Sequence, residues 1–185
     1  SFFQVKSTLN IHGNLWHLNE PKVMGILNVT PDSFYAGSRV QEEEQLLMKA
    51  EEMVNDGAAI LDIGGYSTRP GAEDISPSQE IERVVSAIKT IRQALPNTLI
   101  SIDTFRASVA TEAIAAGASL INDVSGGNLD PLMFETVASL KVPYILMHMR
   151  GTPQTMKSLA EYENVVPEVY QELQTKLNRL HQLGV

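Results

Sequence analysis

Apolar residues in this chain gather in short runs that end on polar groups, and longer stretches of helical spacing separate them. In Met24-Gly25-Ile26-Leu27-Asn28-Val29-Thr30-Pro31-Asp32-Ser33-Phe34 an apolar run stops at an amide and a Pro-broken loop follows. Ile60-Leu61-Asp62-Ile63-Gly64-Gly65 and Leu99-Ile100-Ser101-Ile102-Asp103 repeat that layout. The pattern predicts strands over Val23–Asn28, Ala59–Ile63, Thr98–Ile102, Leu120–Asn122 and Pro143–Met147. Between them, spacing of 3 and 4 predicts helices over Glu42–Asn55, Pro77–Ala94, Ala107–Ala116 and Pro131–Leu140, with a long final helix over Glu161–Leu183 that is interrupted or starts near Pro167. Gly57 and Gly117 stand where helices must stop. Residues 7–18 alternate polar and apolar around His12-Gly13-Asn14 and read as a small β-hairpin.

Strand and helix thus alternate five times, which implies a parallel sheet with helices outside it. Two architectures fit that order: a doubly wound open sheet, or a (β/α)8 barrel of which five units are present. A full barrel takes about 250 residues, against 185 here. Leu183-Gly184-Val185 is a helix stop where a further strand would begin. The expectation is a single domain over 1–185 that forms the front two-thirds of a longer chain.

Composition narrows the function classes. The hydrophobic fraction of 43% and charged fraction of 19% suit an ordinary globular protein. A net charge of −8 with no basic cluster argues against general nucleic-acid binding, though not against a local anion pocket. With no cysteine, neither a disulfide framework nor a thiolate metal site can form, which fits a reducing cytoplasm. No run of about 18 apolar residues occurs, so no membrane partner is expected.

The candidate chemistry lies at the carboxyl ends of the strands. Asp62, Asp103 and Asn122 would point to one mouth and could read the edge of a heterocycle that presents donors and acceptors. Capping competes for Asp103, which precedes a helix. Gly64-Gly65-Tyr66-Ser67-Thr68-Arg69-Pro70-Gly71 combines glycines, hydroxyls and one guanidinium, suited to an anion, although a solvated connecting loop has the same composition. Asn28 offers a neutral amide oxygen of the kind a hard cation accepts, and a buried turn amide is the plainer reading. His148, in Met147-His148-Met149-Arg150, is either a base or a hydrogen-bonded strand-end histidine. No second His or carboxylate lies at zinc-ligand spacing.

Met24–Phe34, Asp62–Gly71, Ser101–Thr104, Ile121–Gly127 and Met147–Met149 together resemble the dihydropteroate synthases, from about residue 21 to the end. The resemblance implies a (β/α)8 TIM barrel with an N-terminal hairpin, in a cytoplasmic folate pathway that sulfonamides target. It implies a transferase joining 6-hydroxymethyl-7,8-dihydropterin diphosphate to p-aminobenzoate, with release of pyrophosphate. By motif, Asp103 and Asn122 would bond the pterin edge beside Asp62, with Met147 lining the pocket. Asn28 would help hold Mg²⁺ on the diphosphate, and Thr68 and Arg69 would lie near that diphosphate. Phe34, Thr68 and Pro70 would frame p-aminobenzoate, and Asp32 would be a carboxylate near the developing cation. The full-length family member would be a homodimer. Two departures stand out: Ala36-Gly37-Ser38 where the family has Asp-Gly-Gly, and Tyr66 where it usually has Glu. The family motifs of strands six to eight are absent from these 185 residues. A pterin-binding methyltransferase domain of related barrel design, or a non-catalytic fragment, are the competing readings.

Overall fold

The computed structural model describes residues 6–34, 37–69 and 71–185. Strands β1 (Thr8–Ile11) and β2 (Asn14–His17) pair antiparallel. Their two-residue turn places both His12 (φ 51°) and Gly13 (φ 82°) in the left-handed region, the geometry that matches the twist of a hairpin. Asn10 Oδ1 accepts a hydrogen bond from Gly13 N at 2.8 Å, which fixes the turn. After the hairpin come β3 (Val23–Asn28), α1 (Arg39–Asn55), β4 (Ala58–Gly64), α2 (Pro77–Ala94) and β5 (Leu99–Asp103). Then follow α3 (Ala107–Ala116), β6 (Leu120–Asp123), α4 (Met133–Leu140), β7 (Tyr144–Leu146), α5 (Met156–Leu159) and α6 (Val165–Gln182).

Strands β3 to β7 form one parallel sheet in sequence order. That order decides between the two architectures. A doubly wound sheet reverses direction at a switch point, whereas here every crossover steps the same way, as in a barrel. Alternation along the strands sorts side chains to two faces. Leu27, Leu61, Ile63, Ile100, Ile102 and Ile121 face the helices and meet Leu46 and Ala50 of α1, Val84, Ile88 and Ile91 of α2, Val109 and Ala113 of α3, and Met133 and Val137 of α4. Ile88, Ile91, Ile100 and Ile102 are wholly buried, and each such side chain is worth about 1.5–3 kcal/mol relative to exposure.

The opposite face is divided along its length. Toward the amino ends of the strands, Ile60 and Leu120, with Met24 and Leu99, pack under Leu9, Ile11 and Trp16 of the hairpin. His12 Nε2 is bonded to Ser119 Oγ at 2.9 Å and ties the hairpin down. Beyond this apolar base the same face turns polar, with Asp62, Ser101, Asp103 and Asn122.

Element ends depart from expectation where caps act. Ser38 and Gln41 form a capping box, so α1 starts at Arg39 rather than Glu42. Ser76 and Gln79 do the same at Pro77. Asp130 accepts from Leu132 N and from Ala107 N, and α4 begins after that turn, at Met133 rather than Pro131. The final helix expected over 161–183 is α6, which starts at Val165, near Pro167, and the short α5 lies before that range; Pro167 falls in the first turn of α6, where its missing N–H leaves no bond unmade.

Candidate functional site at the carboxyl ends of the strands

The parallel register places Asn28, Gly64, Asp103 and Asn122 in one row across the strand ends, with Asp62 beside Ser101 one step below. Asp62 is 3% exposed. Its carboxylate accepts Ser101 Oγ at 2.6 Å and Asn122 Nδ2 at 3.1 Å. Burial pushes its pKa above the ordinary carboxylate value, and the two donors oppose that rise. The Asn122 amide is thereby oriented, and its Oδ1 is buried without a partner among the described residues. A buried acceptor in that condition carries an unmet desolvation cost unless a ligand donor arrives.

Asp103 stands next in the row, half-buried. Gly64 makes room for it: a Cβ at that glycine would lie 3.4 Å from Asp103 Oδ2. The Asp103 carboxyl is pushed up to about 7, first by burial and then by the charges of Asp62, Glu80 and Asp123. Asp123, on the opposite face, accepts from Ser125 N, Ser125 Oγ, Gly127 N and Tyr144 Oη, so its oxygens are taken up in holding the local structure. Asp103 and Asn122 Oδ1 therefore form neighbouring acceptors for a flat ligand with adjacent N–H donors.

Glu80 is wholly buried at the base of this group. It accepts Thr104 Oγ1 at 2.6 Å and Arg106 Nη1 at 3.0 Å, which joins α2 to the turn after β5. Sequence reasoning passed over Glu80, Arg106 and the role of Ser101. A signal for Glu80 was present: it sits four residues before Val84 on the apolar stripe of α2, where a carboxylate needs buried partners. Ser101 faces the same side as Asp103 by strand alternation.

A separate cavity of about 520 Å³ is lined in part by Ile26, Asn28, Ser33, Lys49 and Arg69. Two cations and an amide suit an anion there, although Glu52 and Asp56 share the wall. Lys49 Nζ donates to Ser33 O at 2.9 Å. Among the described residues, no three His, Cys, Asp or Glu gather as a metal cluster.

The structure thus brings Asp62, Asp103 and Asn122 together and puts Asn28 in their row, with Arg69 beside Asn28. Thr68 is half-buried in the loop after β4. Met147 is 37% exposed just past the end of β7. Phe34 is placed apart: it packs against the helix-side core and lines a groove of about 470 Å³ between α1 and α2, with Lys49 Nζ 4.8 Å from its ring centre. Asp32 lies on a short 3-10 turn, Pro31–Ser33, and its side chain is not among those described. Pro70 lies outside the described residues. His148 Nε2 is bonded to the Glu172 carboxylate on α6, so it is a partnered strand-end histidine.

Comparison with known proteins bears on the family and the fold. The family model described as "Pterin binding enzyme" matches residues 24–185. Folic acid synthesis protein fol1 of Pneumocystis carinii is 48% identical over 164 residues, which is 88% of this chain and 22% of that protein. Dihydropteroate synthase of Synechocystis sp. is 45% identical over 163 residues, 88% of this chain and 56% of that protein. The solved structure of Xanthomonas albilineans dihydropteroate synthase with 4-aminobenzoic acid matches with TM-score 0.85 and 36% identity, over 98% of this chain and 63% of that one. The same enzyme with 7,8-dihydropteroate matches with TM-score 0.80 and 34% identity, over 96% and 62%. The five βα units are those of part of the barrel these structures share. The chain spans less than two thirds of the length of each of these proteins.

Proposed function

The chain belongs to the pterin-binding enzymes, and from that premise we propose that it carries the pterin-reading part of a dihydropteroate synthase, a transferase. The observation that carries this reading is the pair of neighbouring acceptors at Asp103 and Asn122 Oδ1, set beside an Asp62 already supplied with donors. A pterin edge offers N–H groups at the spacing of such a pair. Asp103 takes up those donors as a charge-assisted acceptor once it is ionised. Met147 lies against the ring from the end of β7.

Arg69 and Thr68 bind the diphosphate, with Lys49 close by. Asn28 supplies one amide oxygen to a Mg²⁺ that reaches the site on the diphosphate. That fits a single exposed amide around which no three His, Cys, Asp or Glu gather among the described residues. The ion, when bound, takes up charge on the leaving pyrophosphate. Departure of pyrophosphate leaves positive charge on the exocyclic carbon of the pterin, and p-aminobenzoate, neutral at its amine, attacks that carbon. Asp32 is the carboxylate assigned to that charge in this proposal. Phe34, Thr68 and Pro70 frame the aminobenzoate, which requires the loop after β3 to carry Phe34 out of its groove. A cysteine-free chain suits a cytoplasmic setting, and the assembled protein is a homodimer in this proposal.

Calorimetric titration with 6-hydroxymethyl-7,8-dihydropterin diphosphate tests the reading, followed by assay of the product with p-aminobenzoate. Losing a charge-assisted bond of about 1.5–3 kcal/mol in Asp103→Asn weakens binding about ten- to hundredfold. No binding by the wild-type chain, or equal binding by Asp103→Asn, overturns the proposal.

A further inference from the structure

The loop after β4 crosses the end of its own strand. Arg69 reaches the β3 side, where it shares a cavity with Asn28. Three residues earlier, Tyr66 goes the other way. Its ring meets Phe105 edge-on at 5.0 Å, and the Arg106 guanidinium lies 5.3 Å from the Tyr66 centre and 5.1 Å from that of Phe105. Gln154 Nε2, from the loop between β7 and α5, donates to Tyr66 Oη at 3.2 Å. Burial and then Asp74 hold the phenol above its ordinary pKa, so it remains a neutral hydroxyl. Three loops at the carboxyl ends of the strands therefore meet on one side chain.

The anchor below that side chain is firm. Arg106 is fixed by wholly buried Glu80 at 3.0 Å and by Asp74 at 3.4 Å. Its charge is answered there, which leaves it poorly suited to hold a substrate anion itself. Tyr66 lines neither the Arg69 cavity nor the Asp62–Asn122 cluster. A carboxylate in its place would pair with Arg106 by charge, whereas a tyrosine stacks on it and keeps a hydroxyl for Gln154.

We propose that Tyr66 is a positioning residue, clasped by Phe105, Arg106 and Gln154, that holds the loop after β4 across the mouth so that Thr68 and Arg69 meet the anionic end of the substrate. The inference rests on the function proposed above, and it deepens the account of the same site. Tyr66 touches no reacting atom. Its effect is confined to the part of the ligand the loop contacts, while the pterin edge is read by strand residues that do not depend on it.

Two readouts on the full chain test this, with Tyr66→Ala and Tyr66→Phe compared. Hydrogen exchange follows the bonded amides of the loop, Arg69 N on Ser67 Oγ and Ala72 N on Arg69 O, without ligand. Titration compares 6-hydroxymethyl-7,8-dihydropterin with its diphosphate. In Tyr66→Ala those amides exchange about tenfold faster. Affinity for the diphosphate falls about tenfold and that for the hydroxymethylpterin stays within about twofold. Tyr66→Phe, which keeps the stacked ring but gives up the hydroxyl that Gln154 bonds, falls between wild type and Tyr66→Ala in both. Unchanged exchange in Tyr66→Ala, or an equal loss for both ligands, overturns the proposal. Failure of the wild-type chain to bind either pterin overturns the proposed function, and the exchange measurement still decides the clasp.

Discussion

Asp103→Asn is expected to stabilise the fold while weakening the site. In the folded chain the Asp103 carboxyl is raised from its ordinary value of 3.8 to about 7 by burial and by the neighbouring Asp62, Glu80 and Asp123. The native state therefore holds this proton more tightly than the unfolded state does. The associated stability is fully present below pH 4, declines as the pH rises from there, and is gone once the pH passes about 7. At about 1.4 kcal/mol per pH unit the difference between these limits is about 4 kcal/mol. Water reaches this half-buried group, so a gain of about 2–4 kcal/mol by pH 8 is the expected size. An asparagine keeps the shape and carries no titrating proton. Urea unfolding of both proteins from pH 4 to pH 8 measures the effect as a difference, in which the other carboxylates largely cancel. The variant should match the wild type near pH 4 and pull ahead as the pH rises, levelling off above about 7. A difference that does not change with pH, or a wild type that gains on the variant toward pH 8, would refute the reasoning. The same variant should lose pterin affinity, the usual opposition between a strained site and stability.

Ser101→Ala removes the 2.6 Å donor to buried Asp62 and should cost about 1–3 kcal/mol at pH 8, less at pH 4 where Asp62 can hold a proton; equal costs at both pH values in urea melts would count against it. Arg106→Met leaves wholly buried Glu80 without its cation, so a loss of about 3–5 kcal/mol is expected by the same measurement, and a near-neutral result would show that Thr104 alone suffices. Gly127→Ala forces a side chain into the left-handed region at φ +81° and onto the Phe134 ring; a thermal melt should show a loss of at least about 2 kcal/mol. Chelation of divalent cations should weaken binding of the pterin diphosphate and leave the hydroxymethylpterin unaffected; equal effects on both would remove Mg²⁺ and Asn28 from the proposed site.

Local pattern was enough to read the alternating strands and helices, the hairpin and the polar groups at the strand ends, because each depends on residues a few positions apart. Asp62, Asp103 and Asn122 could be listed from where their apolar runs stop. The same locality explains the misplaced boundaries at Arg39 and Met133, where a cap or a turn overrode periodicity. Tertiary structure alone decided the sequential strand order that separates a barrel from a doubly wound sheet, and the division of one face into an apolar base under the hairpin and a polar top. It also decided which polar groups are answered. Ser101 and Asn122 reach Asp62 across 39 and 60 residues, and Thr104 and Arg106 reach Glu80 across 24 and 26. Register sets these pairings, and register follows from packing the whole sheet against its helices. A sequence period can place a residue on a face, but only the assembled sheet can set Asp103 beside one oxygen of Asn122 that is left without a partner among the described residues.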